Sequence, residues 1–335
     1  MSLATLYNCF RAMRGESMNI LIMGAGAIGS VVGGFMAEHG HRVTFVGRDD
    51  HMRTITERGL RITGIWGDHC VGGIDARTSR DAIEAGWHDL ILITVKAYDT
   101  ARAADAIAPL VGPETLVCSY QNGLGNAEAI AERIGWKRTI GARAIYGVVV
   151  REPGWVDVTV IANPTALGTY HPATSTGRVR AIAEAMNATG LPTVYTDRIR
   201  TVLWNKVAYN CALNPMSALL DVPYGGLLDT EHTRQTMREI VHEIYAVAQA
   251  MSVPLEPATP AEYVRHLFED LIPPTAAHYA SMRADFIHRR RTEIDALNGA
   301  IARFGAQHGV ACPVNTLLTR LVHAREHALG VAAAT

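Results

Sequence analysis

At 335 residues the chain is longer than one ordinary core serves, so two domains are expected. Its 48% hydrophobic and 19% charged residues are those of a soluble globular protein, and no apolar run reaches the length of a membrane span. A formal net charge of -1 gives no whole-chain attraction to nucleic acid, and five scattered cysteines (Cys9, Cys70, Cys118, Cys211, Cys312) without a C-x-x-C pair suit reduced thiols in a cytoplasmic protein.

Residues 1–17 read as a peripheral N-terminal extension without the long apolar stretch of a signal peptide, and Met18 as a natural start. Asn19 to Met23 is a short apolar run expected to be a buried strand. It enters Gly24-Ala25-Gly26-Ala27-Ile28-Gly29, which opens a helix to about His39. In a dinucleotide-binding turn each glycine has a separate task. Gly24 allows the tight turn, Gly26 lets backbone amides approach a pyrophosphate, and Gly29 lets helix and strand pack closely. The unpaired N–H groups and positive dipole end of the helix then hold the anion. A lone G-x-G-x-x-G is often only a glycine-rich turn; here strand, glycines and helix follow in the required order.

Arg42 to Val46 is the second strand. An NAD site places a carboxylate at its tip, whereas here Gly47 and Arg48 follow, and a guanidinium suits the 2′-phosphate of NADP. Asp49 and Asp50 would partly oppose that phosphate. His51 to Gly59 reads as helix, Leu60 to Thr63 and His69 to Ile74 as a hairpin around Gly64, and Asp89 to Val95 and Thr115 to Cys118 as further strands. Lys96 and Asn122 then stand at the carboxyl ends of strands, where open α/β sheets bind ligands. Arg138 to Val150, Gly154 to Ile161 and Thr165 to Tyr170 are strand-like, with Asn163-Pro164 as a loop between them. Arg178 to Ala188 is a helix and Pro192 to Tyr195 a last strand.

From Asp197 the pattern is helical, which puts a domain boundary near residue 196: an α/β domain over 18–196 and an all-helical one over 197–335. Arg198 to Leu213 forms a helix that Asn214-Pro215 ends or kinks. Lys206, Asn210 and Asn214 lie at i, i+4 and i+8, a polar stripe in a run too apolar for an exposed face. Thr230 to Met251 is a second long helix. Thr275 to Leu297 looks continuous unless Arg289 to Thr292 interrupts it. Thr292-Glu293-Ile294-Asp295 has the form of a helix start, with Glu293 in the first turn, and a break there lets Ser281 and Glu293 reach one site. Asn298, Gly299 and the segment His308 to Asn315 complete a last helix and a proline-containing loop.

With Gly24–Gly29, Arg48, VKAYD at Lys96, QNGLG at Asn122, LWNKVAYNCALNP at Lys206, RRTEIDALNG at Glu293 and HGVACPVNT in this order, the sequence closely resembles the ketopantoate reductases from Met18 to about Glu326. The resemblance implies a Rossmann-type doubly wound sheet followed by a helical domain like the C-terminal domain of 6-phosphogluconate dehydrogenase. It also implies NADPH-dependent reduction of 2-dehydropantoate to pantoate. The family's catalytic lysine falls on Lys206 and its partner glutamate on Glu293; Asn122, Asn210, Asn214 and Ser281 position substrate, and Lys96 and Asn122 lie near the cofactor.

Two positions depart from the family pattern. Tyr224 and His278 replace asparagines that touch the substrate's polar end, so the nearest alternative is a paralogue reducing another 2-oxo acid. An inactive NADP-binding sensor is the reading from another class. A β-hydroxyacid-type dehydrogenase would carry G-x-x-x-N-x-x-K, but Ile199 and Leu203 occupy its glycine and asparagine positions. The expected partner is a small 2-oxo acid, with no nucleic acid, membrane or metal, and assembly as a homodimer is left open.

Overall fold

The computed structural model describes residues 17–80 and 83–331, so the expected N-terminal extension lies outside the described residues except for Ser17. Two compact units divide the chain. The first runs to Gln121 and resumes over Asn126–Ile199; the second takes Asn122–Gly125 and everything from Arg200 onward.

The first unit is α/β. Its elements are β1 (Asn19–Met23), α1 (Ala27–Glu38), β2 (Arg42–Val46), α2 (Asp49–Arg58), β3 (Leu60–Gly64), β4 (His69–Val71), β5 (Asp75–Arg77), β6 (Leu90–Ile93), α3 (Thr100–Ile107), β7 (Leu116–Ser119), α4 (Asn126–Ile134), β8 (Thr139–Glu152), β9 (Trp155–Thr169), α5 (Thr176–Ala188) and β10 (Thr193–Thr196). The strands form one sheet in the order β4-β3-β9-β8-β7-β6-β1-β2-β5, with β10 also paired to β9. From β5 to β8 every pairing is parallel, and β9 turns back antiparallel on β8. Helices cover both faces, which explains the unbroken apolar runs of the central strands. Ile20 and Ile22 pack with Val31, Phe35, Val179 and Met186 on one face. Leu21 packs with Ala104, Ile107 and Ile130 on the other.

The second unit is helical: α6 (Ile199–Leu220), α7 (Glu231–Ala250), α8 (Pro260–His266), α9 (Ser281–Ile287), α10 (Asn298–His308) and α11 (Pro313–Ala328). Its core gathers Trp204, Leu213, Ile240, Ile244, Phe304 and Leu318.

Several elements differ from the sequence expectation. Asn163-Pro164 is not a loop but part of β9, at a bulge: the register passes from Arg143↔Ala166 to Ile145↔Asn163. A bulge tolerates a residue without an N–H. Nor does α6 stop at Asn214-Pro215. The proline frees the carbonyl four residues back, that of Cys211, and the buried Asn298 side chain donates to it at 3.2 Å. The break allowed for at Arg289 to Thr292 is present, as Arg289 adopts a φ of +51° and α9 ends at Ile287, but α9 begins only at Ser281 and not at Thr275. The Thr292 pattern does not start an α-helix; Ile294–Ala296 is a single 3-10 turn and α10 begins at Asn298. The three-residue β5, the helix α4 and the terminal helix α11, which opens on Pro313, are present beyond the elements expected from the sequence.

Candidate active site

In the first unit the chain leaves β1 at Gly24 with a φ of +106°, and a Cβ there would lie 2.6 Å from Val95 N and Cγ1. The Gly24 and Ala25 N–H groups both donate to Val46 O at 2.9 Å, tying the loop to the end of β2. Gly26 faces open space, the nearest atom to a Cβ being 3.9 Å away. Ala27 and Ile28 then begin α1, whose N-terminus has no side-chain cap. At Gly29 a Cβ would meet Thr94 Oγ1 at 2.6 Å and Ile22 Cγ2 at 2.8 Å, so the helix lies tight on the sheet. An uncapped helix start fronted by an unobstructed glycine fits a pyrophosphate.

Arg48 is exposed at the N-cap position of α2. Of the two acids beside it, Asp50 is already engaged by Arg53 at 2.7 Å. His51 fixes the start of α2: its Nδ1 accepts from Gly154 N–H and its Nε2 meets Ser30 Oγ, both at 2.9 Å. Burial, aided by the Arg48 charge, holds its pKa below the ordinary imidazole value. Lys96 is half-buried after β6, and its carbonyl accepts from Asp99 N–H at 2.8 Å. Gln121, the first residue of the QNGLG segment and not among the expected site residues, donates to Val95 O at 2.9 Å and Thr100 Oγ1 at 2.7 Å and so ties the two strand-end segments together. A shallow cleft of about 440 Å³ between α2 and the end of β5, lined by Met52, Arg53, Thr56 and Arg77, contains none of the expected site residues.

In the second unit the Lys206, Asn210 and Asn214 stripe lies on one uninterrupted helix, α6. The Lys206 ammonium donates to Asn122 Oδ1 at 2.7 Å. The loop carrying Asn122 is held from below: Leu124 N–H donates to Ala296 O at 2.8 Å. Gly123, at a φ of +86°, lies so close to Ala296 that a Cβ would fall 2.5 Å from that same oxygen. Glu293 is half-buried and leads into this 3-10 turn. The sequence alone gave no hint that the Asn122 loop and the Glu293 turn meet.

The two departures from the family pattern also come together. Tyr224 is buried, its phenol donates to the Asn214 amide oxygen at 2.6 Å, and its N–H donates to His278 O at 2.9 Å. Its ring stands 5.4 Å from the imidazole of His278 and 5.9 Å from the ring of Tyr209. Desolvation raises the Tyr224 phenol pKa and lowers that of His278, so both are neutral near pH 7. Ser281 is exposed at the first position of α9, three residues beyond His278. Cys118 and Cys211 are buried thiols whose pKa values burial raises, and Cys312 is pushed up to about 11, which removes all three as nucleophiles. No group of three or more potential metal ligands occurs among the described residues.

The fold thus defines a Rossmann-type dinucleotide-binding α/β unit and, after it in the chain, an all-helical unit. The profile of ketopantoate reductase PanE/ApbA matches residues 20–172, and that of the C-terminal part of the same family matches 198–326. A 2-dehydropantoate 2-reductase of Aquifex aeolicus is 36% identical, over 92% of this chain and 97% of that protein. The crystal structure of a 2-dehydropantoate 2-reductase from Geobacter metallireducens superposes with a TM-score of 0.83 at 30% identity, covering 92% of this chain and 99% of its own. D-mandelate dehydrogenase in a ternary structure with NADH and anilino(oxo)acetate gives a TM-score of 0.83 at 28% identity, covering 94% and 100%. The chain belongs to the ketopantoate reductase family.

Proposed function

We propose that the protein reduces 2-dehydropantoate to pantoate with NADPH. The observation that carries this reading, within a chain of this family, is the Lys206 ammonium held at 2.7 Å on the Asn122 amide at the end of a polar stripe. The glycine loop and the uncapped start of α1 fit the pyrophosphate, and Arg48 fits the 2′-phosphate. When bound, NADPH supplies the hydride to the 2-oxo carbon. Lys206 then stabilises the negative charge growing on the carbonyl oxygen and gives that oxygen its proton. The products are the 2-hydroxy acid and NADP. Glu293 orients the lysine or holds the new hydroxyl, while Asn122, Asn210, Asn214 and Ser281 bind the substrate's polar groups and Lys96 lies near the cofactor. A small-molecule partner in the cytoplasm belongs to the same reading; no helix among the described residues is long and apolar enough to cross a membrane.

A second reading has a specific observation behind it. Tyr224, His278 and Tyr209 form an aromatic cluster next to Asn214, where a site made for a hydroxylated aliphatic chain would offer amides. That arrangement favours a 2-oxo acid with a flat apolar substituent, in line with the acid named in the mandelate dehydrogenase structure. A panel of 2-oxo acids assayed with NADPH and NADH decides between the two. Highest kcat/KM on 2-dehydropantoate supports the first reading, and highest kcat/KM on an aromatic 2-oxo acid replaces it with the second.

A further inference from the structure

The turn that carries Glu293 is secured by a set of charged groups that the proposed reaction does not use. His323 on α11 has both ring nitrogens on carboxylates: Nε2 lies 2.9 Å from Asp295 Oδ1 and Nδ1 lies 2.9 Å from Glu326 Oε2. A neutral imidazole carries one N–H and can donate to one acceptor only, so both bonds require the imidazolium. The other oxygen of each carboxylate is bound to the same turn. Glu326, buried, accepts from Thr292 N–H at 2.7 Å, and Asp295 accepts from Arg291 at 3.0 Å. From α10, Arg303 donates to the Asp295 carbonyl at 3.4 Å. Glu293 lies between Thr292 and Asp295, and the Ala296 carbonyl at the end of this turn holds the loop bearing Asn122.

We propose that His323 is a positioning residue: as an imidazolium bridging Asp295 and Glu326, it holds the 291–296 turn so that Glu293 keeps its place and the Asn122 loop keeps its contact with Lys206. The inference rests on the reading that Glu293 belongs to the reaction. Burial opposes the charge on His323, but the hydrogen bonds to Glu326 and Asp295 outweigh it and raise its pKa. Arg291 and a charged His323 each face the Asp295 carboxylate, His323 also faces Glu326, and Arg303 approaches the Asp295 carbonyl. As pH rises through the raised pKa, one of the two bonds and the positive charge between the two carboxylates are lost, and the turn loosens.

The pH profile of kcat for wild type, His323→Gln, His323→Lys and Glu293→Gln tests this. Wild type is expected to lose about tenfold to a hundredfold in kcat as pH rises through the raised pKa, above the ordinary imidazole value of about 6.5, since a misplacement of about 1 Å at a reacting centre costs up to about a hundredfold. His323→Gln is expected to show the lower rate at every pH with that limb gone. His323→Lys, charged throughout the range, should restore the rate and move the limb upward. An unchanged limb in His323→Gln overturns the proposal while leaving the function intact, provided Glu293→Gln is impaired; an unimpaired Glu293→Gln overturns the role of Glu293 and the inference with it. The wild-type protein gives an independent check through the ¹⁵N shifts of its imidazoles at about pH 6.5, where an ordinary histidine is half charged. His323 is expected to be mostly doubly protonated there, and a mostly neutral ring refutes the bridge.

Discussion

Replacing Gly123 by alanine is the most informative single change in the second unit, because it adds one methyl group between two parts of the site. Gly123 has a φ of +86°, and its added Cβ would lie 2.5 Å from Ala296 O, 2.6 Å from Ala296 Cβ and 2.9 Å from Ala296 C. Two costs follow. An L-residue forced to positive φ loses about 1–2 kcal/mol, and overpacking against fixed backbone adds about 1–3 kcal/mol. Ala296 is in a 3-10 turn and cannot rotate away as a flexible side chain would. The loop is therefore expected to yield, breaking the Leu124 N–H bond to Ala296 O and withdrawing Asn122 from Lys206. Displacement of that order at a reacting centre lowers the rate about a hundredfold. Steady-state kinetics with NADPH and the preferred 2-oxo acid, alongside denaturant unfolding, should show a drop in kcat/KM of that size and a loss of stability of about 2–5 kcal/mol. Wild-type kcat/KM in Gly123→Ala would refute the view that the Asn122 loop is registered by the Glu293 turn.

Lys206→Ala is expected to lower kcat about a hundredfold or more, the scale of a lost general acid and oxyanion donor, with cofactor binding by fluorescence titration unchanged. Equal loss of NADPH affinity would instead make the lysine a cofactor ligand. Arg48→Glu should raise KM for NADPH about tenfold to a hundredfold, the worth of a charge-assisted bidentate contact, and leave NADH nearly untouched; equal effects on both cofactors remove the phosphate role. Tyr224→Phe leaves the Asn214 oxygen without its buried donor, at about 1–3 kcal/mol, and should appear mainly in KM for the 2-oxo acid. An unchanged KM would separate Tyr224 from substrate binding. Acid should weaken the first unit through His51. Its folded pKa is depressed, so the unfolded chain takes up the proton first, and the stability present above about pH 6.5 is lost as pH falls toward the folded value. The slope of melting temperature against pH below about 6.5 should flatten in His51→Gln, and an identical slope assigns the acid sensitivity elsewhere.

The parts of the molecule legible in the sequence are those set by local chemistry. The apolar run before Gly24, the glycines themselves and the polar stripe at Lys206, Asn210 and Asn214 follow from the strand, turn and helix periods of neighbouring residues. The structure departs from the local pattern where a distant side chain changes the local rule. Pro215 ends a helix in isolation, but Asn298 takes the carbonyl it frees and α6 continues. Asn163-Pro164 breaks a strand unless a bulge across β8 absorbs it. The Thr292 to Asp295 pattern imitates a capped helix start, yet its acid is drawn to Arg291 and His323 instead. Long-range meetings were likewise invisible: nothing near Gly123 announces Ala296, and nothing near Asn214 announces that Tyr224 will fix its amide.

The proposed reaction is hydride transfer from NADPH to a 2-oxo carbon, with Lys206 supplying the proton. The direct measurement is NMR of the product formed from 2-dehydropantoate with NADPH deuterated at nicotinamide C4. Deuterium at C2 of pantoate, formed by wild type and formed about a hundredfold or more slowly by Lys206→Ala, is the predicted result. NADPH binding without deuterium transfer to 2-dehydropantoate or any other 2-oxo acid would contradict it.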